Sequence, residues 1–440
     1  MTGMRRRTVL GAVAGGAAAL GLSACGGAAG GGQGSGKGTV VFRIWDEEQL
    51  PGYKKSAAAF HAKHPDITVK VEQMPWEAYW SKLTTELAAG KGPDIFWNTV
   101  SYFPEFVQQG VLVNLDPLIK QDSVDTKQFY PQILATYTHQ GHVYGMPADF
   151  GITGMVYNAD LFKAAGVPVP GELTWAPDGS GTLLETARKL TRDRTGKRPD
   201  QAGFDAQHVK QWGFMAENHN QTQYVNWIPQ NGGSFMSKPF GKFTFDQPKA
   251  VQALQWQVDL ITKWHVSPPP SAGVALDLFN RGQIAMYPCV NAILPYIVPK
   301  VNFTVGVTNL PSGPLGAVNN VNGLSFAMAK TSRNQKAAWE VVKWFGSAES
   351  QRIIGSGGYA WPANKTVAST YHQYWKAKGQ DMTPFEKAAT GKTVLLPVTP
   401  IWNAAELKID NTFKPMFQGD QPVGPTTKKL AGDLNKLITQ

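Results

Sequence analysis

Residues 39–45 (Thr-Val-Val-Phe-Arg-Ile-Trp) form a β-branched and aromatic run, and 67–71 (Ile-Thr-Val-Lys-Val) alternates apolar with polar at the period of a half-buried strand. Between them, 53–64 carries Ala57, Ala58 and Phe60 among helix-favouring Lys and Ala, and Pro65 with Asp66 stops that helix. A second amphipathic helix is predicted over 76–89, with Leu83 and Leu87 four apart on one face. Gly90, Lys91, Gly92 and Pro93 break it, and 94–97 follows as a short buried strand. This strand-helix-strand-helix-strand order predicts a mostly parallel sheet with helices on both faces. In such sheets ligands sit beyond the carboxyl ends of the strands. Trp45 closes the first strand and Trp97 with Asn98 closes the third, so these residues are expected to face one crevice.

A second α/β pattern starts at 155–157, with helices predicted over 182–190, 248–265 and 277–282. Strand character returns at 303–307 and 324–328, and a helix over 334–346 presents Ala338, Val341, Val342 and Phe345 on one face. The Gly-Pro clusters at 166–181 and 311–316 read as loops. Four hundred and forty residues exceed what one hydrophobic core supports, so two lobes are expected.

The first residues bear on compartment. Arg5, Arg6 and Arg7 precede an uncharged apolar stretch over 9–21, which reads as a signal peptide occupying 1–24. Thirteen residues give roughly 20 Å of helix, short of the ~30 Å hydrocarbon core, so a permanent span is not expected. Leu22, Ser23, Ala24 and Cys25 resemble the bacterial lipobox, which implies diacylglycerol on the Cys25 thiol, cleavage before it and anchoring to the outer face of the cell membrane. The arginines with Leu10 also resemble a twin-arginine export signal, from which Val9 and Gly11 depart. The glycine-rich segment to residue 38 buries too little apolar surface to order itself and reads, with Cys25, as a tether over 25–38. Cys289 is then the remaining thiol, set in an apolar run where a buried small hydrophobe is expected. The net charge of +10 includes the three leader arginines and is otherwise scattered, without any nucleic-acid-binding motif, so nucleic acid is not an expected partner.

Several segments together resemble the extracellular solute-binding proteins of ABC importers, in the sugar-binding family that includes the maltose-binding protein. They are Trp45 with Asp46, 91–97 (Lys-Gly-Pro-Asp-Ile-Phe-Trp), 109–112 (Gln-Gly-Val-Leu), 145–147 (Gly-Met-Pro) and 155–158 (Met-Val-Tyr-Asn). Later come 231–233 (Asn-Gly-Gly), 279–286 (Phe-Asn-Arg-Gly-Gln-Ile-Ala-Met) and 322–328 (Asn-Gly-Leu-Ser-Phe-Ala-Met). The resemblance implies an α/β, two-lobe periplasmic-binding-protein-like fold of type II, with the ligand cleft between lobes and hinge strands crossing near 147–151, 305–310 and 357–363. Lobe 1 is expected to comprise 39–148 with 308–357, and lobe 2 149–307 with 358–440. The implied partners are a small carbohydrate and the transmembrane subunits of an ABC permease; a monomer without cofactor or metal is expected.

Carbohydrates stack a C–H face on aromatic rings and need donors and acceptors for their hydroxyls. Candidate ligand-binding residues with that pairing are Trp45, Glu48, Trp97, Asn98, Tyr102, Asp149, Phe150, Trp227, Asn231, Asn291, Trp361 and Trp402. Asn291 with Ala292 stands where many relatives carry Gly-x-Trp, which shifts the stacking role toward Trp227, Trp361 or Trp402. A secreted carbohydrate-active enzyme is the competing class, because glycosidases also use aromatic clefts with paired carboxylates, but no catalytic motif is present and no enzyme is expected. A wall-binding adhesin or a receptor for a non-sugar solute are the remaining alternatives. His61 with His64 and His139 with His142 have metal-compatible spacing and no third ligand beside them.

Overall fold

The computed structural model describes residues 36–438. The leader over 1–24 and Cys25 lie outside the described residues, as does the tether up to residue 35. From Lys37 the chain is held: its side chain pairs with Asp66 at 2.9 Å, and its carbonyl accepts a hydrogen bond from Asn334 Nδ2 at 2.7 Å.

Two sheets organise the rest. The first has the order Ile67–Gln73, Gly38–Ile44, Ile95–Asn98, Ser325–Met328, Gly145–Pro147. Its first three strands are parallel, as βαβ crossovers require, and the last two pair antiparallel. The edge strand Ile67–Gln73 keeps one side partly wet, whereas Ile95–Asn98 is buried on both faces and its side chains are apolar until Asn98. The helix Leu50–Lys63 starts with Pro51 in its first turn, where the missing N–H costs nothing, and Trp76–Ala88 buries Tyr79, Trp80, Leu83 and Leu87.

The second sheet is built on Gly151–Asn158, with Met286–Val290 antiparallel on one edge. On the other edge, Val305–Thr308 pairs with its C-terminal half and Asn319–Asn322 with its first residues; Thr393–Leu395 then adds parallel to Asn319–Asn322. Asn158 ends this central strand and caps the helix Ala159–Ala165, its Oδ1 accepting from the N–H groups of Asp160 and Leu161. Helices Pro248–Thr262, Trp402–Gln418 and Val423–Ile438 cover one face of the lobe. Two apolar clusters result. One fills the first lobe and runs through Phe150, Trp361 and Ile152 onto one face of the second sheet; the other lies against the opposite face, around Trp175, Trp227, Trp256 and Trp402.

Three passages of chain cross between the sheets side by side. Ala148 N–H donates to the Leu324 carbonyl at 2.8 Å, Leu324 N–H donates to Asp149 Oδ1 at 2.7 Å, and Phe150 N–H donates to the Trp361 carbonyl at 2.8 Å. The first and third crossings fall inside 147–151 and 357–363, as the resemblance implies. The middle one does not fall at 305–310: strands Val305–Thr308 and Asn319–Asn322 both belong to the second sheet, and the chain crosses at Gly323 and Leu324. Residues 308–322 therefore associate with the second lobe rather than the first. Gly323 is fixed by close approach, since a Cβ there would stand 2.5 Å from the Asp149 carbonyl oxygen and 2.7 Å from Ile133 Cδ1.

Gly323→Ala is expected to lower unfolding stability by about 1–3 kcal/mol through overpacking of the crossing. Gly171→Ala, at a position with no heavy atom within 4 Å of the added carbon, is the control. Chemical denaturation of the two variants checks this; equal midpoints would mean that the crossing yields freely.

Candidate functional site

The parallel strands of the first sheet deliver their C-terminal ends to one place. Trp45, Asp46 and Gln49 follow Gly38–Ile44, Trp76 follows Ile67–Gln73, and Thr99 follows Ile95–Asn98; all line a cleft of about 210 Å³. The hinge supplies Asp149, Phe150, Gly151, Gly323, Leu324 and Trp361, and the second lobe supplies Gln221, Asn291 and Asn322. The volume lies below the ~300–1,000 Å³ typical of small-molecule sites, so the enclosed part suits a guest about one ring in size.

Of the residues named from the sequence, Trp45, Asp149, Phe150, Asn291 and Trp361 line this cleft. Trp361 and Phe150 are almost wholly buried and pack on each other at 5.2 Å between ring centroids, so they form its floor. Asn291 has its side chain committed to the hinge: Oδ1 accepts from Ile152 N–H at 2.7 Å and Nδ2 donates to the Phe150 carbonyl at 3.2 Å. It positions the strand rather than offering polar atoms to a guest.

The remaining candidates are elsewhere. Trp97 is fully buried in the first core, edge-on to Trp45 at 4.9 Å and to Tyr53 at 5.1 Å. Asn98 is also buried, with both side-chain polar atoms lacking a partner among the described residues. Tyr102 spends its ring face on Trp80, stacked parallel at 3.7 Å, and burial, then the charges of Glu406, Glu105 and Glu77, push its hydroxyl up to about 12. Trp227 and Trp402 are core residues of the second lobe, Trp227 donating to Gln223 Oε1 at 3.1 Å and Trp402 lying against Phe243. Asn231 closes a helix end by donating to the Lys249 carbonyl at 2.7 Å. Glu48 takes an ion pair from Lys300 at 2.7 Å, outside the cleft lining. Cys289 is buried, and burial raises its thiol far above the ordinary range, as suits a small apolar residue.

Sequence reasoning missed Trp76, Gln221 and Asn322, while Thr99, which the resemblance sets with Asn98 at the cleft, does line it. Trp76 is the most exposed ring of the lining, 47 % accessible and perpendicular to Trp45 at 5.1 Å. Its signal was present: an indole in the first turn of a helix that directly follows a parallel strand stands at the carboxyl edge of the sheet.

Around the cleft, three polar contacts join the lobes. Tyr296 donates to Asp46 Oδ1 at 2.5 Å, Lys300 pairs with Glu48, and on another part of the rim Asn403 donates to Glu105 Oε2 at 2.6 Å. Asp149 is 9 % accessible, and burial with the nearby charge of Asp46 pushes its carboxyl up to about 7 against the pull of Leu324 N–H.

Two α/β lobes, three adjacent crossings and a cleft at their junction are the architecture of the periplasmic-binding-protein fold. The chain belongs to the bacterial extracellular solute-binding protein family, whose model matches residues 45–352. Membership places it outside the cytoplasm, and no described helix is long and apolar enough to cross a membrane. It is similar to UspC of M. tuberculosis, 32 % identical with a TM-score of 0.74 over 90 % of this chain and 99 % of that one. The ABC substrate-binding protein Lmo0181 from Listeria monocytogenes, solved in complex with cycloalternan, is 24 % identical with a TM-score of 0.79 over 91 % and 98 % of the two chains. An arabinooligosaccharide-binding protein of Bacillus subtilis is 22 % identical over 92 % of this chain and 83 % of its own length.

Trp97→Ala is expected to cost about 3–5 kcal/mol of stability, because a fully buried indole leaves a cavity. Trp76→Ala, largely exposed, should stay within about 0.5 kcal/mol of the parent. Thermal or denaturant unfolding of both separates the core ring from the cleft ring, and the reverse order would exchange their roles.

Proposed function

We propose that this chain captures a small carbohydrate outside the cell and delivers it to the permease of an ABC importer, held meanwhile at the membrane by a lipid on Cys25. The observation that carries the reading is the pairing in one cleft of indole faces, Trp45 and Trp76, with polar atoms that have no partner among the described residues, Thr99 Oγ1 and Gln49 Oε1. A saccharide offers both complements: an apolar C–H face for the rings and hydroxyls for the acceptors. Each buried polar atom left unpaired costs roughly 1–3 kcal/mol, so these groups favour a guest that satisfies them. The cycloalternan complex of Lmo0181 and the arabinooligosaccharide-binding relative support a carbohydrate. The cross-lobe contacts of Asp46, Glu48 and Glu105 support a cycle in which the lobes close on the guest and open to release it. The chain acts as a monomer in this reading, uses no cofactor and leaves its guest chemically unchanged.

Thermal melting against a panel of mono- and oligosaccharides tests the capture. A guest bound only by the folded chain, at about a hundredfold its Kd, adds about 2.7 kcal/mol and a rise of several degrees in Tm. Cleaved sugars in the same tubes would indicate an enzyme, and no shift with any sugar would remove carbohydrate capture. Cys25→Ser should release the protein from the cell membrane into the medium, read by fractionation and by loss of the lipid mass on the mature N-terminus.

A further inference from the structure

The cleft is acidic in a chain whose formal net charge is +10. Asp46 and Asp149 line it, and among the described residues no Lys, Arg or His does. The four donors to Asp46 are neutral: the N–H groups of Glu48 and Gln49, the Gln49 amide and the Tyr296 hydroxyl. Asp149 receives one, Leu324 N–H on Oδ1, and its second carboxylate oxygen has no donor among the described residues. Nearby, Asn220 donates to Glu406 next to the cleft residue Gln221, and burial with the charge of Asp410 pushes the Glu406 carboxyl up to about 7. Lys300, at the mouth, is already paired with Glu48.

A second feature points to a ligand independently of the charge. Gln49 and Thr99 are 5 % and 7 % accessible, line the same cleft, and have Oε1 and Oγ1 without a partner among the described residues. The orientation of Gln49 is fixed, because its Nε2 donates to Asp46, so the unpaired atom is an acceptor. The cleft thus offers two acceptors that cannot donate in this arrangement, the second Asp149 oxygen and Gln49 Oε1, and in Thr99 Oγ1 a hydroxyl that accepts or donates. An ammonium group is three donors and no acceptor, and indole faces such as those of Trp45 and Trp76 attract it. Burial holds the Asp149 carboxyl at about 7, so a cation set against its free oxygen draws it into the charged form and gains an ion pair there, whereas a neutral hydroxyl gains only a hydrogen bond.

Resting on the carbohydrate reading above, we propose that the guest is a saccharide bearing a free amine on its ring, bound as the ammonium form against Asp149 with Gln49 and Thr99 as neutral acceptors. The amine is the specificity element and the indoles hold the ring.

Calorimetry on the purified chain at neutral pH with glucosamine, N-acetylglucosamine and glucose tests this, because the three differ at one ring position. Glucosamine is expected to bind about tenfold or more tightly than the other two, in line with a buried charge gaining its partner. Asp149→Asn, if folded by circular dichroism, should bring the three close to one affinity. Glucose or N-acetylglucosamine binding as tightly as glucosamine would overturn the ammonium site while leaving carbohydrate capture standing. Binding of none of these, with no response to any other sugar, would overturn both. A glucosamine preference that survives in Asp149→Asn would overturn the assignment to that carboxylate. Should the variant not fold, the comparison of the three sugars on the parent chain decides the proposal by itself.

Discussion

Three adjacent strands of backbone, hydrogen-bonded edge to edge where they cross between the sheets, are what the rest of this molecule depends on. Asp149 is central to them. One carboxylate oxygen receives the Leu324 N–H and ties the first crossing to the second, while Phe150 N–H ties the first to the third. The same residue lines the cleft. Anything that alters its charge or its contacts therefore acts on hinge and site together, which is how a small guest can bias the arrangement of two large lobes.

Tryptophan is used in two ways. Trp97, Trp227, Trp256 and Trp402 are fully buried and hold the cores, where their area contributes most to stability. Trp45 and Trp76 sit over that packed base at the carboxyl edge of the first sheet, edge to face, with Trp45 backed in turn by Tyr79 and Trp97. The buried rings fix the orientation of the accessible ones, so the cleft wall is rigid although it stands at a junction.

Much of this was legible in the residues. The order of strands and helices over 39–97 gave the parallel sheet, and the rule about carboxyl ends then pointed to Trp45 and to Trp97 with Asn98. It did not separate Trp97 from Thr99, because a strand buried on both faces is a continuous apolar run that carries no facing information. The middle crossing was set at 305–310 by the resemblance alone, and no strand was read over Asn319, Asn320, Val321 and Asn322. They form a strand since their amides are satisfied in place: Asn319 Nδ2 donates to the Thr153 carbonyl at 2.7 Å and Asn320 Nδ2 to the Val394 carbonyl at 2.9 Å. Trp227 and Trp402 were named for the ring-plus-amide pairing with Asn226 and Asn403, but both stand on helices whose apolar side faces the second core. Such pairings depend on distant partners and leave no mark on local pattern.

The contacts at Asp46 with Tyr296, Glu48 with Lys300 and Glu105 with Asn403 have an effect of their own. They are made between lobes, and since of these side chains only Asp46 lines the cleft, the other two contacts contribute the same increment whatever occupies it. Selection could then tune how long every cargo dwells, all together and by one factor, through residues such as Lys300 or Asn403, without changing the order in which the receptor ranks them.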